Sequence, residues 1–204
     1  MGKKIAFTFD DGPNTEVTPK IISLFEEYGG KCTFFLIGQN INEESEKVAK
    51  YAYEHGFELE NHSFTHRAMT ELTDSEVKKE IDDTDALIEK ISGKKPRFYR
   101  PPYIAINEKS FTQTDKTFIC GLGCDDWDEK VSVSERVEKV LGFAEDGVIV
   151  LLHDSAYNHA TAEALATILP ELKEKGFEFV TVSGLFENKG IELLPNNGII
   201  YSRL

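Results

Sequence analysis

Apolar runs rich in β-branched and aromatic residues alternate along this chain with amphipathic stretches whose apolar residues recur at helical spacing. This alternation is typical of repeated strand–helix units, which build a parallel sheet covered by helices. Seven runs predict strands: Ile5–Phe9, Cys32–Ile37, Glu58–Asn61, Phe98–Arg100, Thr117–Leu122, Val148–His153 and Phe179–Val182. Five stretches predict helices: Val17–Tyr28, Glu44–His55, Asp74–Ile91, Val133–Glu145 and Ala160–Lys175. Six or seven such units predict a TIM-like α/β barrel.

Local signals and composition agree with this architecture. Thr73 is a suitable N-cap, and Glu76 three residues later completes a capping box. The polar tail Glu187–Leu204 predicts a last irregular strand. No repeat, low-complexity tract or linker interrupts the chain, and 204 residues with 40% hydrophobic side chains suffice for a substantial core. We therefore expect one domain over residues 1–204.

Polar side chains follow several predicted strands at their carboxyl ends. In a parallel barrel these ends share one rim, which is where barrels place their chemistry. The rim would collect Asp10, Asp11, His62, Arg100, Asp126 and His153. Unrelated surface residues would not be expected to share one rim of the barrel. The pattern thus predicts a catalytic cleft.

Two adjacent carboxylates, Asp10 and Asp11, stand between the first predicted strand and the Gly12–Pro13 turn. Side chains alternate along an extended chain, so the two carboxylates point in different directions and suit different roles. One would bind a metal and the other would stay free as a base. Turn composition alone permits a second interpretation, in which the segment only makes a turn and a helix N-cap.

Histidine occurs five times in the chain, and His62 and His66 lie four positions apart. This spacing predicts that both imidazoles project from the same side of a helical turn and reach one metal ion. A polar surface patch is the alternative interpretation. His153 ends a wholly apolar strand, and for it the alternative is a hydrogen-bonded core histidine.

Five segments, in this order, resemble the motifs of the polysaccharide deacetylase family, also called the NodB-homology or carbohydrate esterase family 4 domain. They are Thr8-Phe9-Asp10-Asp11-Gly12-Pro13, His62-Ser63-Phe64-Thr65-His66, Arg100-Pro101-Pro102-Tyr103, Asp126-Trp127 and Leu151-Leu152-His153. The likeness runs from about Ile5 to Phe186. It implies a distorted, incomplete TIM-like (β/α)7 barrel, usually with seven strands.

Two positions depart from the family pattern. Ile104 stands where the family usually has glycine, which affects the expected loop conformation beyond Tyr103 and the shape of the groove. Gly123 stands where an aspartate is usual, which affects the expected substrate preference. Neither departure removes a predicted metal ligand.

The predicted cleft contains the groups that hydrolysis of an acetamide or acetate ester requires. Asp11, His62 and His66 would bind one divalent metal, with zinc expected first and cobalt, nickel, iron or manganese as alternatives. Asp10 would take a proton from water, and His153 would protonate the leaving group.

Further roles are implied by the resemblance. Arg100 would orient the base, Asp126 would tether the acid histidine, and the backbone amide of Tyr103 would help to hold the oxyanion. Trp127 and Leu151 would line a small pocket for the acetyl methyl group.

The leading hypothesis is therefore a metal-dependent enzyme that deacetylates an N- or O-acetylated polysaccharide. Peptidoglycan N-acetylglucosamine, chitin oligomers and acetylated xylan would all suit this chemistry. A non-haem iron oxygenase also uses two histidines and a carboxylate, but it needs neither a free second aspartate nor a distant acid histidine. A catalytically silent carbohydrate-binding domain would be expected to have lost Asp10 or His153.

Charge and cysteine content limit the partners and the compartment. The 23 basic and 36 acidic residues give a net charge of −13, which argues against nucleic acid and anionic membranes and suits a neutral polymer. We expect a monomer. Cys32, Cys120 and Cys124 form no even disulfide framework, although spacing leaves a bridge between the last two open.

No apolar run approaches the length of a membrane span, and Met1–Lys4 leads directly into the first strand without a signal peptide. As written, the sequence is typical of a cytoplasmic protein. The family that it resembles is mostly exported, and a chain trimmed of its leader would look the same. The localisation is therefore left open.

Overall fold

Parallel strands form one curled sheet at the centre of the protein. The computed structural model describes residues 2–194 and 197–204. Its strands are β1 Lys3–Asp10, β2 Thr33–Leu36, β3 Glu58–Asn61, β4 Phe98–Tyr99, β5 Thr117–Ile119, β6 Leu122–Gly123, β7 Ile149–His153, β8 Phe177–Val180 and β9 Ile200–Tyr201. Their order is β6-β7-β1-β2-β3-β4-β5-β9, and β8 pairs with the first half of β1. The distorted, incomplete α/β barrel expected from the sequence is confirmed.

The α-helices pack against this sheet, most of them on its outer side. They are α1 Thr18–Glu27, α2 Glu43–Glu54, α3 Asp74–Ser92, α4 Val133–Phe143, α5 His159–Glu174 and α6 Val182–Lys189. The predicted capping box is present, because Thr73 accepts from the backbone of Glu76 and the Glu76 side chain accepts from the Thr73 N–H. None of the helices in the described ranges is both long and apolar enough to cross a membrane.

The second half of the chain differs most from the predicted elements. The single strand predicted over Thr117–Leu122 is interrupted at Gly121, where φ is 110° and a Cβ would come within 2.9 Å of the Leu151 Cβ. The strand predicted at Phe179–Val182 lies two residues earlier, because Val182 already begins α6. Thr181 caps this helix by accepting from Gly184 N.

The polar tail was predicted as one irregular strand, and this prediction is only partly correct. Its first residues complete α6, and only Ile200–Tyr201 forms a strand. Pro195 and Asn196, which the prediction included, lie outside the described residues. The C-terminal segment closes part of the open side of the barrel, since Ser202 O accepts from Ile149 N. The three cysteines, Cys32, Cys120 and Cys124, are free thiols.

Alternating side chains of β1 enter two separate apolar clusters. Phe7 and Phe9 pack outward against the helices, whereas Ala6 packs inward with Phe35, Phe98, Ile119 and Ile149. This alternation turns Thr8 and Asp10 toward the barrel interior as well. The inner apolar cluster therefore forms a floor beneath the polar carboxyl ends of the strands.

The outer cluster is centred on Phe25 of α1, which is fully buried. Its ring centroid lies 5.6 Å from that of Phe7, 5.9 Å from that of Phe9 and 5.8 Å from that of Phe179. All three contacts are edge-to-face, an arrangement favoured by the quadrupoles of aromatic rings. Phe25 thus fixes α1 against β1 and β8.

We expect Phe25→Ala to lower the free energy of unfolding by about 3–5 kcal/mol, because it removes a buried ring and leaves a cavity. Urea unfolding followed by circular dichroism measures this change. Tyr51→Ala serves as the control, since Tyr51 on α2 is 45% exposed, and should cost about 0.5 kcal/mol. Equal losses in the two variants would contradict the assignment of Phe25 to the core.

Candidate active site

Asp10, the last residue of β1, is held by a buried ion pair. Nη1 of Arg100 donates to its Oδ1 at 2.6 Å, and neither side chain is more than 3% exposed. The Arg100 guanidinium also lies over the Phe35 ring, with its central carbon 4.2 Å from the ring centroid. Arg100 Nε and Nη2 have no hydrogen-bond partner in the described chain. The ion pair fixes one oxygen of Asp10 and leaves Oδ2 facing His62 Nε2, 3.6 Å away.

Asp11 leaves the strand in a left-handed conformation, with a φ of 78°. Ser155 Oγ donates to its Oδ2 at 2.9 Å, and Asn40 Nδ2 donates to its backbone carbonyl at 2.8 Å. Oδ1 is buried and has no hydrogen-bond partner within residues 2–194 and 197–204. The two adjacent aspartates therefore have separate partners, as the alternation of strand side chains predicts.

His62 and His66 converge, but not on a helical turn as their spacing predicted. The segment between them is irregular, and Ser63 and His66 adopt φ values of 67° and 61°. Ser63 Oγ accepts from His66 N at 3.1 Å, and Glu80 Oε2 accepts from the Phe64 and Thr65 amides. These contacts fold the loop back on itself. The loop conformation, and not a helical turn, thus brings the Nε2 atoms of His62 and His66 to within 3.2 Å of each other.

One acceptor, the backbone carbonyl of Arg100, orients the His62 ring. Its Nδ1–H donates to Arg100 O at 2.6 Å, which leaves the lone pair on Nε2. Burial, followed by the nearby His62, lowers the pKa of His66 below its ordinary value. A lowered pKa favours the neutral imidazole, which is the form that binds metals.

The donor atoms of Asp11, His62 and His66 fit a divalent cation. Asp11 Oδ1 is 3.7 Å from His62 Nε2 and 3.6 Å from His66 Nε2, and all three atoms lie within 4.8 Å of one another. Tetrahedral ligands at the usual zinc distances are about 3.3 Å apart. The unpartnered Asp11 Oδ1 and the two facing imidazole nitrogens are groups that a cation would satisfy.

His153, at the end of β7, is paired with Asp126. Its Nδ1 lies 2.8 Å from Asp126 Oδ1, and its backbone N donates to Asp126 Oδ2 at 2.9 Å. Burial by itself would lower the pKa of His153, but the hydrogen bond to Asp126 and the negative charges of Asp126, Asp10 and Asp11 raise this pKa to about 9. His153 is therefore suited to carry a proton at neutral pH.

Asp154, which was not among the predicted site residues, supports the loop that contains Asp11. It is fully buried and accepts from Gly12 N at 3.0 Å and from Thr18 Oγ1 at 2.5 Å. Burial raises the pKa of Asp154 to about 7, against the opposing effect of the Thr18 hydrogen bond. Its place after the predicted strand end was a usable signal, whereas nothing in the sequence singled out Ser155.

The remaining predicted residues occupy different parts of the rim. Tyr103 is 72% exposed, and its ring centroid lies 4.7 Å from that of His66. Trp127, beside Asp126, is 61% exposed, and Leu151 is half-buried on β7, two residues before His153. Ile104 has a φ of 51°, so a β-branched residue adopts a conformation that glycine favours, at a steric cost.

Comparisons with known proteins agree with this site. A family model described as polysaccharide deacetylase matches residues 1–118. The chain is 43% identical over 95% of its length to a bifunctional xylanase/deacetylase of Pseudobutyrivibrio xylanivorans, and 37% identical over 92% to a peptidoglycan-N-acetylmuramic acid deacetylase of Bacillus subtilis (strain 168). It spans only 32% and 39% of the lengths of these two relatives.

A solved structure is also similar over nearly its whole length. It is a family 4 acetyl xylan esterase from Clostridium thermocellum in complex with a cobalt ion, with a TM-score of 0.95 and 35% identity. The match covers 99% of both chains. Because the family model covers more than half of the residues and the barrel is shared throughout, the chain belongs to the polysaccharide deacetylase family.

Proposed function

We propose that this protein is a metal-dependent hydrolase that removes acetyl groups from an acetylated polysaccharide. The observation that supports this most directly is the cluster of Asp11, His62 and His66, with one unpartnered carboxylate oxygen and two facing imidazole nitrogens. An arginine-held carboxylate and a carboxylate-held histidine lie on the same rim. Together these groups supply a metal site, a base and an acid.

Asp11, His62 and His66 would hold the cation. Zinc suits two imidazoles and one carboxylate, and cobalt, nickel, iron or manganese also bind such mixed ligands. When bound, the cation supplies Lewis acidity, polarising the acyl oxygen and making water a stronger acid. The relative from Clostridium thermocellum is described with cobalt, which is consistent with this ligand set.

Asp10 would accept the proton of the attacking water. Arg100 occupies its Oδ1, so Oδ2, which faces the metal ligands, is the oxygen available for this transfer. The backbone N–H of Tyr103 would donate to the acyl oxygen as negative charge develops there. Arg100 acts here as a positioning residue for the base.

His153 would then protonate the departing nitrogen or oxygen through Nε2, because Asp126 holds Nδ1. Trp127 and Leu151 would contact the acetyl methyl group. The exposed ring of Tyr103 beside His66 offers a surface for the sugar, since aromatic faces pack well against apolar sugar faces.

The substrate is proposed as a class. Among the relatives, one is described as a xylanase/deacetylase, one as a peptidoglycan deacetylase and one as an acetyl xylan esterase. The net charge of −13 favours an uncharged polymer over a polyanion. Acetate release from acetylated xylan, peptidoglycan and chitin oligomers, measured on one metal-reconstituted preparation, distinguishes these substrates. No release from any of them would contradict the proposed function.

Chelation should abolish acetate release and added zinc or cobalt should restore it, because without the cation neither the water nor the acyl oxygen is activated. Asp11→Ala and His62→Ala should lose both metal content and rate. Elemental analysis together with acetate release measures the two properties.

Asp10→Asn is the matched control for Asp11→Ala, since it changes the neighbouring carboxylate. We expect it to retain metal and lose rate, because the amide cannot accept the proton from water. Full activity in chelator would contradict the metal mechanism. Metal loss in Asp10→Asn equal to that in Asp11→Ala would mean that the roles of the two aspartates are exchanged.

His153→Ala should lower kcat about 100-fold or more on an N-acetylated oligosaccharide, whose amine leaves poorly without a proton. The loss on an activated aryl acetate should be distinctly smaller, because a phenolate leaves unprotonated. Steady-state kinetics on the two substrates provides the comparison. Equal losses would indicate a purely structural role for this histidine.

Asp126→Asn should move the alkaline limb of the pH–rate profile to lower pH. The substitution removes the charge that raises the pKa of His153 and retains the burial that lowers it. The protonated form of His153 is therefore lost at a lower pH in this variant than in the wild-type protein. Metal content should not change, and an unmoved alkaline limb would contradict the assignment of His153 as the acid.

A further inference from the structure

The Asp126 carboxylate has a second set of partners, on α5. Its Oδ2 accepts from Thr161 Oγ1 at 2.6 Å and from Asn158 Nδ2 at 3.2 Å. Asn158 Nδ2 also donates to His153 O at 2.9 Å. Asn158 and Thr161 therefore hold the carboxylate from the side opposite His153 Nδ1.

Because the Asn158 side chain binds Asp126, it does not cap the helix that begins after it. It occupies the N-cap position of α5, where asparagine is among the favoured residues, yet its side chain makes no capping hydrogen bond. The side chain is directed toward Asp126 and His153 instead. Asn158 could accept from the free N–H groups at the start of α5, but it instead forms part of a hydrogen-bond network behind His153, the candidate acid.

Behind this layer lies Arg136 of α4, which is 2% exposed. Its Nη1 donates to Asn158 Oδ1 at 2.6 Å and to Thr161 Oγ1 at 2.9 Å. Nε donates to Val131 O at 3.0 Å, and Nη2 donates to Asp128 O at 3.3 Å. These four acceptors are all neutral, which is a costly environment for a buried cation.

The direction of each hydrogen bond in this network follows from the arginine. A guanidinium can only donate, so the Thr161 oxygen must accept from Arg136 and give its single proton to Asp126. By the same argument Asn158 must turn its oxygen to Arg136 and its NH2 group to Asp126 and His153 O. Asp126 Oδ2 then faces only donors, and Oδ1 is left for the Nδ1–H of His153.

We propose that Arg136, acting through Asn158 and Thr161, is a positioning residue for His153 in the deacetylation. The proposal rests on the proposed function, in which His153 donates a proton from Nε2 to the leaving group. By fixing the donor directions at Asp126, Arg136 fixes the His153 ring with Nδ1–H buried and Nε2 in the cleft. Without it the Asn158 amide is free to rotate and turn its oxygen toward the carboxylate.

The test uses Thr161→Val, which removes the hydroxyl with little change in shape, and Thr161→Ser, which keeps the hydroxyl. Arg136→Met is the third variant, and Arg203→Met is the control because Arg203 is exposed and far from α5 in the chain. Each is assayed with an N-acetylated oligosaccharide and with an aryl acetate. The measured quantity is the ratio of the two kcat/KM values, with metal content and unfolding midpoint checked in parallel.

We expect Thr161→Val and Arg136→Met to lower the amide-to-ester ratio by about 10-fold, the loss typical of residues that support a reacting group indirectly. Thr161→Ser and Arg203→Met should keep the wild-type ratio. Equal losses on both substrates, or an unchanged ratio in Thr161→Val, would overturn the proposal. If Arg136→Met does not fold, the comparison of Thr161→Val with Thr161→Ser decides whether the network positions His153.

A second measurement separates this proposal from the proposed function. If the wild-type protein releases acetate from neither substrate, the function fails, and the His153 ring is then followed by nitrogen-15 NMR. If the network positions the His153 ring, its Nδ1–H signal should be protected from exchange with water in the wild-type protein and in Thr161→Ser. In Thr161→Val the same signal should lose this protection. The same protection in all three proteins would overturn the proposed role of the network.

Discussion

The buried pair of Arg100 and Asp10 is the interaction on which the site depends. Arg100 reaches four strands at once: its guanidinium binds Asp10 at the end of β1 and covers Phe35 of β2, its carbonyl accepts from His62 after β3, and its backbone continues β4. Removing one partner of a buried pair leaves an uncompensated charge, which costs far more than the pair itself contributes. The proposed base, Asp10, and one proposed metal ligand, His62, are therefore positioned by the side chain and the backbone of the same residue.

Much of this arrangement could be predicted from the sequence, because strand ends and alternation are strong signals. Asp10, Asp11, His62, Arg100 and His153 were expected on one rim, and the structure brings each of them to the carboxyl end of the sheet. The pairing of β1 with β7 shows this convergence most directly, because Asp10 and His153 lie opposite each other at the ends of these two parallel strands. Periodicity also located five of the six α-helices found within residues 2–194 and 197–204.

What could not be predicted depends on backbone conformations and long-range contacts. The pair His62 and His66 suggested a helical turn, whereas positive φ values and the distant Glu80 shape the loop. The strand over Thr117–Leu122 breaks at Gly121, which has a positive φ and lies so close to Leu151 of β7 that a Cβ there would clash. Asn158 occupies the N-cap position of α5, and only the fold brings its side chain to Asp126. Local propensity carries no information on such partners.

The two histidines His62 and His153 show how one side chain serves opposite purposes. Each has Nδ1 in a hydrogen bond within the protein and leaves Nε2 for the cleft. The partner of Nδ1 differs between the two residues. His62 donates to a neutral carbonyl, which fixes the ring orientation without placing a charge beside it, whereas His153 pairs with a carboxylate, which favours the protonated ring. Against the lowering effect of burial, Asp126 and the charges of Asp10 and Asp11 raise the pKa of His153 to about 9, whereas burial lowers the pKa of His66. A carbonyl behind His62 and a carboxylate behind His153 thus suit these imidazoles to the different roles proposed for them, a metal ligand and a proton donor. The network behind Asp126 therefore matters to the proposed chemistry as much as the residues that face the cleft.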